Sequence, residues 1–338
     1  PRGRPGCLCG GLNSRSAEQK LPLLRARSRW QLPRVQVLSP SRDAVRHRWA
    51  GLPLTPAPRA LRYLRWVACC LLLALVAGCS STQFFYNRLD FLIPWYLSDY
   101  VDLQGSQREL LKRRTDAFLD WHRRSELPRY VALLARAEQS LDGRVTPATV
   151  AALALAAKDE WLRLRDRALD ALIGVGEALD DAQIASFVAT LRERQAEYED
   201  KYLDRDDDEY REDACDRLVD NLEDYLGRIG RDRERRTCAI LQDLRRSDAA
   251  WLAERERWVD WLEEVLQRRS GWQAALRVGV DGWADTVAPA YRDIYDHNSA
   301  LIYRAVAAAV EKRSKRQDRY LRRKLAGLRE DLIELSAP

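Results

Sequence analysis

The sequence predicts an all-α fold, an elongated multi-helix bundle of about eight helices, on three observations. Apolar residues recur at steps of three and four, most clearly Ile184, Phe187, Val188, Leu191, Gln195, Tyr198 and Tyr202, the period of one helix face. Capping residues stand directly ahead of such stretches, as in Thr146-Pro147 and Asp180-Asp181, where a side-chain oxygen can take the free backbone N–H groups of a first turn. No segment shows sustained alternation of period two between turn residues, so strands are not expected.

Taken in order, residues 99–124 carry Leu103, Leu110, Leu111, Phe118 and Leu119 at spacings near seven and eight. Ser125 is placed to cap a following helix with Pro128 near its first turn. That helix bears Tyr130, Val131, Leu133 and Leu134 and is expected to end near Asp142-Gly143. Thr146 and Pro147 start the next, which runs through Trp161 towards Gly174. Asp180-Asp181 opens the helix with the clear stripe. The acidic residues 204–209 bend into residues 211–226, and Gly227 and Gly230 bracket the turn after them. Residues 231–269 read as one long helix with Trp251, Trp258, Leu262 and Val265 on one face, broken by Gly271 and the Gly279–Gly282 region. Residues 283–312, with Ile294, Tyr295, Ile302 and Val306 in register, and residues 316–335 complete the set. The starts at 146, 180 and 230 look alike, but their spacing is too irregular for a solenoid.

Ahead of the bundle lies LRYLRWVACCLLLALVAGCSST, residues 61–82. Arg62 and Arg65, the twelve apolar residues 66–77, then Gly78 and Cys79 follow the order of a secretory signal peptide. Twelve residues in a helix reach about 18 Å, short of the roughly 30 Å hydrocarbon core of a membrane. Val76-Ala77-Gly78-Cys79 resembles the lipobox of bacterial lipoproteins. That resemblance implies that Cys79 receives a diacylglycerol, that the chain is cut before it, and that the new amine is acylated. Sorting in that class follows the next residue, and Ser80 in place of aspartate implies the outer membrane over the inner one. The expected organisation is a signal peptide over 61–78 and a helical periplasmic domain over 79–338.

Residues 1–60 differ in kind, dominated by Pro, Arg, Gly and Ser. Residues 1–78 hold 14 Lys+Arg and 2 Asp+Glu, while the remaining 43 basic and 49 acidic residues leave a net of −6. The chain also contains no methionine. Residues 1–60 are therefore expected to be upstream sequence ahead of a start near Leu61 or Leu64. The other reading is a disordered basic arm.

Behind the cut, Cys79, Cys215 and Cys238 remain. With Cys79 lipidated, the other two form an even pair in a compartment that permits disulfides. Cys215 lies twelve residues before Gly227 and Cys238 eight after Gly230. In a hairpin that offset of four is about 6 Å, against a limit of about 7 Å between bridged Cα atoms. A Cys215–Cys238 disulfide and two buried thiols both remain open. The aromatic residues Phe84, Phe85, Tyr86, Phe91, Trp95 and Tyr96 likewise admit two readings, packing into the core or lying on lipid headgroups. The core reading is the preferred one.

Cys79-Ser80-Ser81, FFYNRLDFLIPWYLSDYVDLQGSQ at 84–107 and WHRRSELPRY at 121–130 together resemble an uncharacterised family of helical lipoproteins in Gram-negative bacteria. The resemblance implies the address and the fold. It transfers one site, Cys79 as the point of lipid attachment, and no catalytic residue.

Residues with chemical potential are scattered. His122 follows Asp120-Trp121 and reads as a surface or partly buried residue. His297, with Asp293 one turn earlier, is the best acid/base candidate. Asp99, Asp102 and Glu109 read as acidic residues at a helix start, as the helix dipole favours. Residues 204–209 lack the glycine and glutamate of a calcium loop, with Ala214 and Cys215 where a loop would need them. The basic runs 231–236 and 312–323 read as solvated faces, the second with some capacity for anionic headgroups. No phosphate-binding or nucleophile-elbow motif is present in 79–338. No catalytic residue, cofactor or metal is expected, and no nucleic-acid partner. The expected role is a lipid-anchored, non-enzymatic binding or structural component facing the periplasm, attached to the membrane through Cys79, with an envelope protein, lipid or glycan as partner. The alternative is an envelope-acting hydrolase or transferase with a site built from dispersed carboxylates.

Overall fold

The computed structural model describes residues 81–337. Cys79, the signal stretch and residues 1–60 lie outside the described residues. The chain forms α1 (Ser81–Tyr86), α2 (Leu89–Ser98), α3 (Gly105–Trp121), a π-helical turn (His122–Glu126), α4 (Leu127–Ser140), α5 (Pro147–Gly176) and α6 (Asp181–Tyr202). It continues through α7 (Asp207–Leu226), α8 (Arg231–Leu241), α9 (Asp248–Val265), α10 (Trp272–Thr286), α11 (Pro289–Glu311) and α12 (Lys315–Ser336). The all-α class holds, and no strand occurs among the described residues. The expected count of about eight is too low, because the described residues make eleven helical rods when α3, the π turn and α4 are taken as one.

The capped starts at Thr146 and Asp180 fall where the sequence puts them, and Asp206 caps α7 ahead of the expected start at residue 211. Thr146 Oγ1 accepts from Thr149 N at 3.2 Å, Asp180 Oδ1 from Gln183 N at 2.8 Å, and Asp206 Oδ1 from Asp208 N and Glu209 N at 2.9 Å each. The differences lie where tertiary contacts supply what a local signal lacks. Ser125 caps nothing. Leu127 N–H reaches back five residues to His122 O, and this wider turn lets the chain pass Pro128, which has no N–H to give to a normal α-helical bond. The expected helix 231–269 is two helices. In the connection between them, Asn298 on α11 accepts from Arg245 N at 2.9 Å and donates to Arg245 O at 2.7 Å. His297 Nε2 lies 2.8 Å from Asp243 O. These contacts satisfy backbone groups that a continuous helix would have paired internally.

Nor do Gly279 and Gly282 break α10. A Cβ on Gly279 would fall 1.9 Å from Trp261 Cζ2, so the glycine admits the indole of α9 against the α10 backbone. The break comes instead at Val287-Ala288, with Pro289 in the first turn of α11.

The core is built in patches around α5, a 30-residue helix about 45 Å long, which packs against α3, α4, α10 and α11. One cluster joins Leu141, Val145, Leu222, Leu226, Leu321 and Leu325, and a second joins Tyr210, Cys215, Leu241, Leu301 and Ala305. Cys215 on α7 and Cys238 on α8 form a disulfide with Cα atoms 5.3 Å apart. The turn between these helices uses Gly227 at φ +66°, where a side chain would be strained. Charges that enter the core are paired. Asp248, 1 % exposed, accepts from Arg205 Nη2 at 2.6 Å, Arg246 Nε at 3.0 Å and Tyr198 at 3.2 Å. Burial raises its carboxyl, but those hydrogen bonds outweigh it and hold the pKa below the usual value. Glu126, wholly buried, accepts from Arg163 Nη2 at 2.9 Å.

Candidate functional site: an apolar cavity

Helices α2, α3, α5, α6, α9 and α10 enclose a cavity of about 280 Å³. Leu169, Leu172, Ile173 and Gly176 give it one wall from α5, and Ile184 and Phe187 another from α6. Trp258 and Leu262 of α9, with Trp272, Leu276 and Val280 of α10, close the opposite side. Leu97, Tyr100, Val101 and Leu103 come from the end of α2 and the segment after it, and Leu111 comes from α3. The lining is almost entirely apolar. The volume is close to twice that of an engineered apolar cavity of about 150 Å³ that stays dry and admits benzene.

Polar clamps hold the ends of these helices together. Gln107 on α3 and Gln183 on α6 exchange reciprocal amide hydrogen bonds at 2.8 Å. Gln107 also donates to Ala178 O at 2.7 Å and Gln183 to Asp102 O at 2.6 Å. Arg268, between α9 and α10, donates to Leu179 O and pairs with Asp181. The cavity is thus bounded by fixed connections, a preformed space of the kind that takes small ligands.

Of the stripe on α6, only Val188 is buried, because Ile184 and Phe187 face the cavity instead of a partner side chain. The stripe marks an apolar face in the sequence but does not tell a cavity wall from ordinary packing. It is visible on α6 alone, whereas the cavity needs six helices.

The residues singled out by sequence are spread over other parts of the fold. His122 is buried, contrary to the surface expectation, its ring between those of Tyr86 (5.7 Å), Phe118 (6.1 Å) and Tyr130 (5.4 Å). Its Nδ1 lies 2.7 Å from the Tyr86 hydroxyl. Burial lowers its pKa, and the charge of Glu126 opposes this in part. Burial pushes the Tyr130 hydroxyl up to about 12. His297 makes its contact with the Asp243 carbonyl, not with Asp293. Asp99 and Asp102 precede α3, so they do not crowd its first turn as expected; Glu109 lies within it. Residues 204–209 cap α7, and no group of three or more His, Cys, Asp or Glu able to hold a metal occurs among the described residues. In the basic run at 312–323, Arg313 and Arg322 are tied to Asp318, and Lys315, Arg316 and Arg319 are exposed.

The aromatic segment overturns the preferred core reading except at Tyr86, which packs against His122. Phe84, Phe85, Phe91, Trp95 and Tyr96 are all exposed, Phe91 to 64 % and Trp95 to 55 %. Helix α2 has no buried residue.

Comparison with known proteins gives one match. The sequence model of a family of unknown function (DUF6279) covers residues 99–292, from the end of α2 into the start of α11. No curated protein and no solved structure matches the chain.

Proposed function

The chain belongs to the family of unknown function DUF6279, and we propose that it serves as a lipid-anchored component of the Gram-negative envelope that binds an apolar ligand. The observation that carries this reading is the cavity of about 280 Å³ lined by carbon. A void of that size lacks the dispersion contacts that a filled core would have, and an apolar guest restores them. The anchor is Cys79, and Ser80 after it assigns the protein to the periplasmic face of the outer membrane. No helix among the described residues is long and apolar enough to cross a membrane, so attachment rests on the acylated cysteine.

Gly176 gives a test that leaves the fold intact. A Cβ there would sit 3.5 Å from Trp272 Cη2, an ordinary contact. Gly176→Leu places its remaining carbons in the cavity, and at the end of α5 leucine is the better helix former. The wild-type chain should bind the neutral fluorophore N-phenyl-1-naphthylamine saturably. Gly176→Leu should bind it at least about tenfold more weakly, a change of about 1.4 kcal/mol, with an unchanged or higher melting temperature. Equal binding by both proteins would remove the cavity as the site.

A further inference from the structure

We propose that the ligand is a single-chain amphiphile with an anionic head group, its chain in the cavity and its head group on the guanidinium of Arg255 and the hydroxyl of Tyr100. This rests on the cavity reading above and adds the class of ligand. Arg255 stands three residues before Trp258 and seven before Leu262 on α9, spacings that put all three on one helix face. Trp258 and Leu262 line the cavity, so Arg255 continues that lining by one turn.

Arg255 differs from the arginines that pair with the buried carboxylates. Arg205, Arg163 and Arg257 each hold a carboxylate, and Glu254, the carboxylate beside Arg255, is taken by Arg257 at 2.7 Å. Arg255 has no hydrogen bond or ion pair among the described residues, and its Nε is buried without an acceptor. Its guanidinium rests over the Trp251 ring at 5.4 Å. A buried donor with no acceptor costs free energy that a bound acceptor recovers.

Tyr100 supplies the second contact. It lines the cavity, its ring lies 6.4 Å from that of Phe187, and its hydroxyl is 3.0 Å from that of Tyr96. The Tyr96 hydrogen bond and burial raise the pKa of that hydroxyl, and the nearby charges of Arg194 and Arg255 oppose the rise. Arg194 is already held by Glu197 at 3.0 Å, so Arg255 is the cation open to an anion. Against an apolar wall such a pairing is stronger than it would be in water. Scaled from the benzene-sized cavity, the volume accepts on the order of ten carbons, one chain and not two.

A fatty carboxylate and the phosphate of a single-chain lipid share this chemistry. The test is a titration of the full chain, held in amphipol, with dodecanoate, dodecyl phosphate and dodecanol. The wild type should bind at least one of the two anions about tenfold or more tighter than the alcohol, and the tighter anion names the source. Arg255→Gln should bring the preferred anion to within about twofold of dodecanol while leaving the alcohol's affinity unchanged, and Gly176→Leu should weaken all three. Equal affinity of the wild type for the three probes, or a full anion preference in Arg255→Gln, overturns the head-group assignment and leaves cavity binding standing. Binding of none of the probes by the wild type overturns both.

Discussion

His122 shows how burial turns one side chain into a determinant of pH response. Its ring is enclosed by Tyr86, Phe118, Trp121 and Tyr130, and burial holds its pKa below that of a free imidazole, with the charge of Glu126 opposing. In the unfolded chain the ring protonates near pH 6.5. Between that value and the lower folded one, the unfolded state binds more protons, so stability falls as pH falls. The contribution is fully present above about pH 6.5 and is lost below it. The chain has three histidines, and besides His122 only His297 lies in the described residues. Melting temperatures measured from about pH 7.5 to about pH 5.5, the window around that value, separate the two. The wild type and His297→Gln should lose stability across the window, and His122→Gln should lose clearly less. An equal loss in His122→Gln would mean that the histidine carries none of it. Asp248 works in the same direction but in a lower range, since its lowered pKa contributes stability that is lost only as pH falls below the ordinary carboxylate value.

At the scale of elements, the hairpin of α7 and α8 depends on the Cys215–Cys238 bridge. A closed loop of this size restricts the unfolded chain and is worth about 3 kcal/mol in the chain-entropy treatment. Replacing both cysteines by alanine should lower the unfolding free energy by roughly that amount, and native protein alkylated without reductant should carry no label at either position. Two labelled thiols would show that the bond does not form in the envelope. The helix starts of α5 and α6 were legible because Thr146 and Asp180 act on neighbours three residues away, whereas α7, capped by Asp206, starts within the acidic residues 204–209, ahead of the expected residue 211. The misread boundaries share a different cause. Residues 242–247 leave the helix because Asn298, more than fifty residues later, takes up their backbone groups. Gly279 stays helical because Trp261 of another helix fills the space that a side chain would need. The π turn answers both to Pro128 and to the burial of Glu126 beneath Arg163. The cavity is least legible of all, since none of its six walls is apolar in a way that distinguishes missing packing from ordinary packing.

For the whole molecule, the proposed acylation of Cys79 and the aromatic residues of α1 and α2 make up one device. One residue, Ser80, lies between Cys79 and the first residue of α1, a reach of at most about 7 Å, so α1 must lie close to the headgroups once the cysteine is acylated. Acyl chains hold a protein at a membrane but do not orient it; Trp and Tyr prefer the interface, where an apolar ring meets a wet edge. Phe84, Phe85, Phe91, Trp95 and Tyr96 present such a surface within sixteen residues of the anchor's neighbour Ser80, and an exposed apolar patch of this kind marks a contact surface. The expected occupant is the bilayer interface itself. In Cys79→Ala, incorporation of labelled fatty acid should stop and the signal stretch should remain on the chain. In the anchored protein, Phe91→Cys gives a single free thiol, because Cys79 is then acylated and Cys215 and Cys238 are bonded to each other. A spin label at that thiol, with the protein in phospholipid vesicles, should be relaxed strongly by oxygen and weakly by a water-soluble nickel chelate. The reverse order would place α2 in water and assign its aromatic residues to another partner, and labelling of Cys79→Ala at the wild-type level would remove the anchor from which the orientation follows.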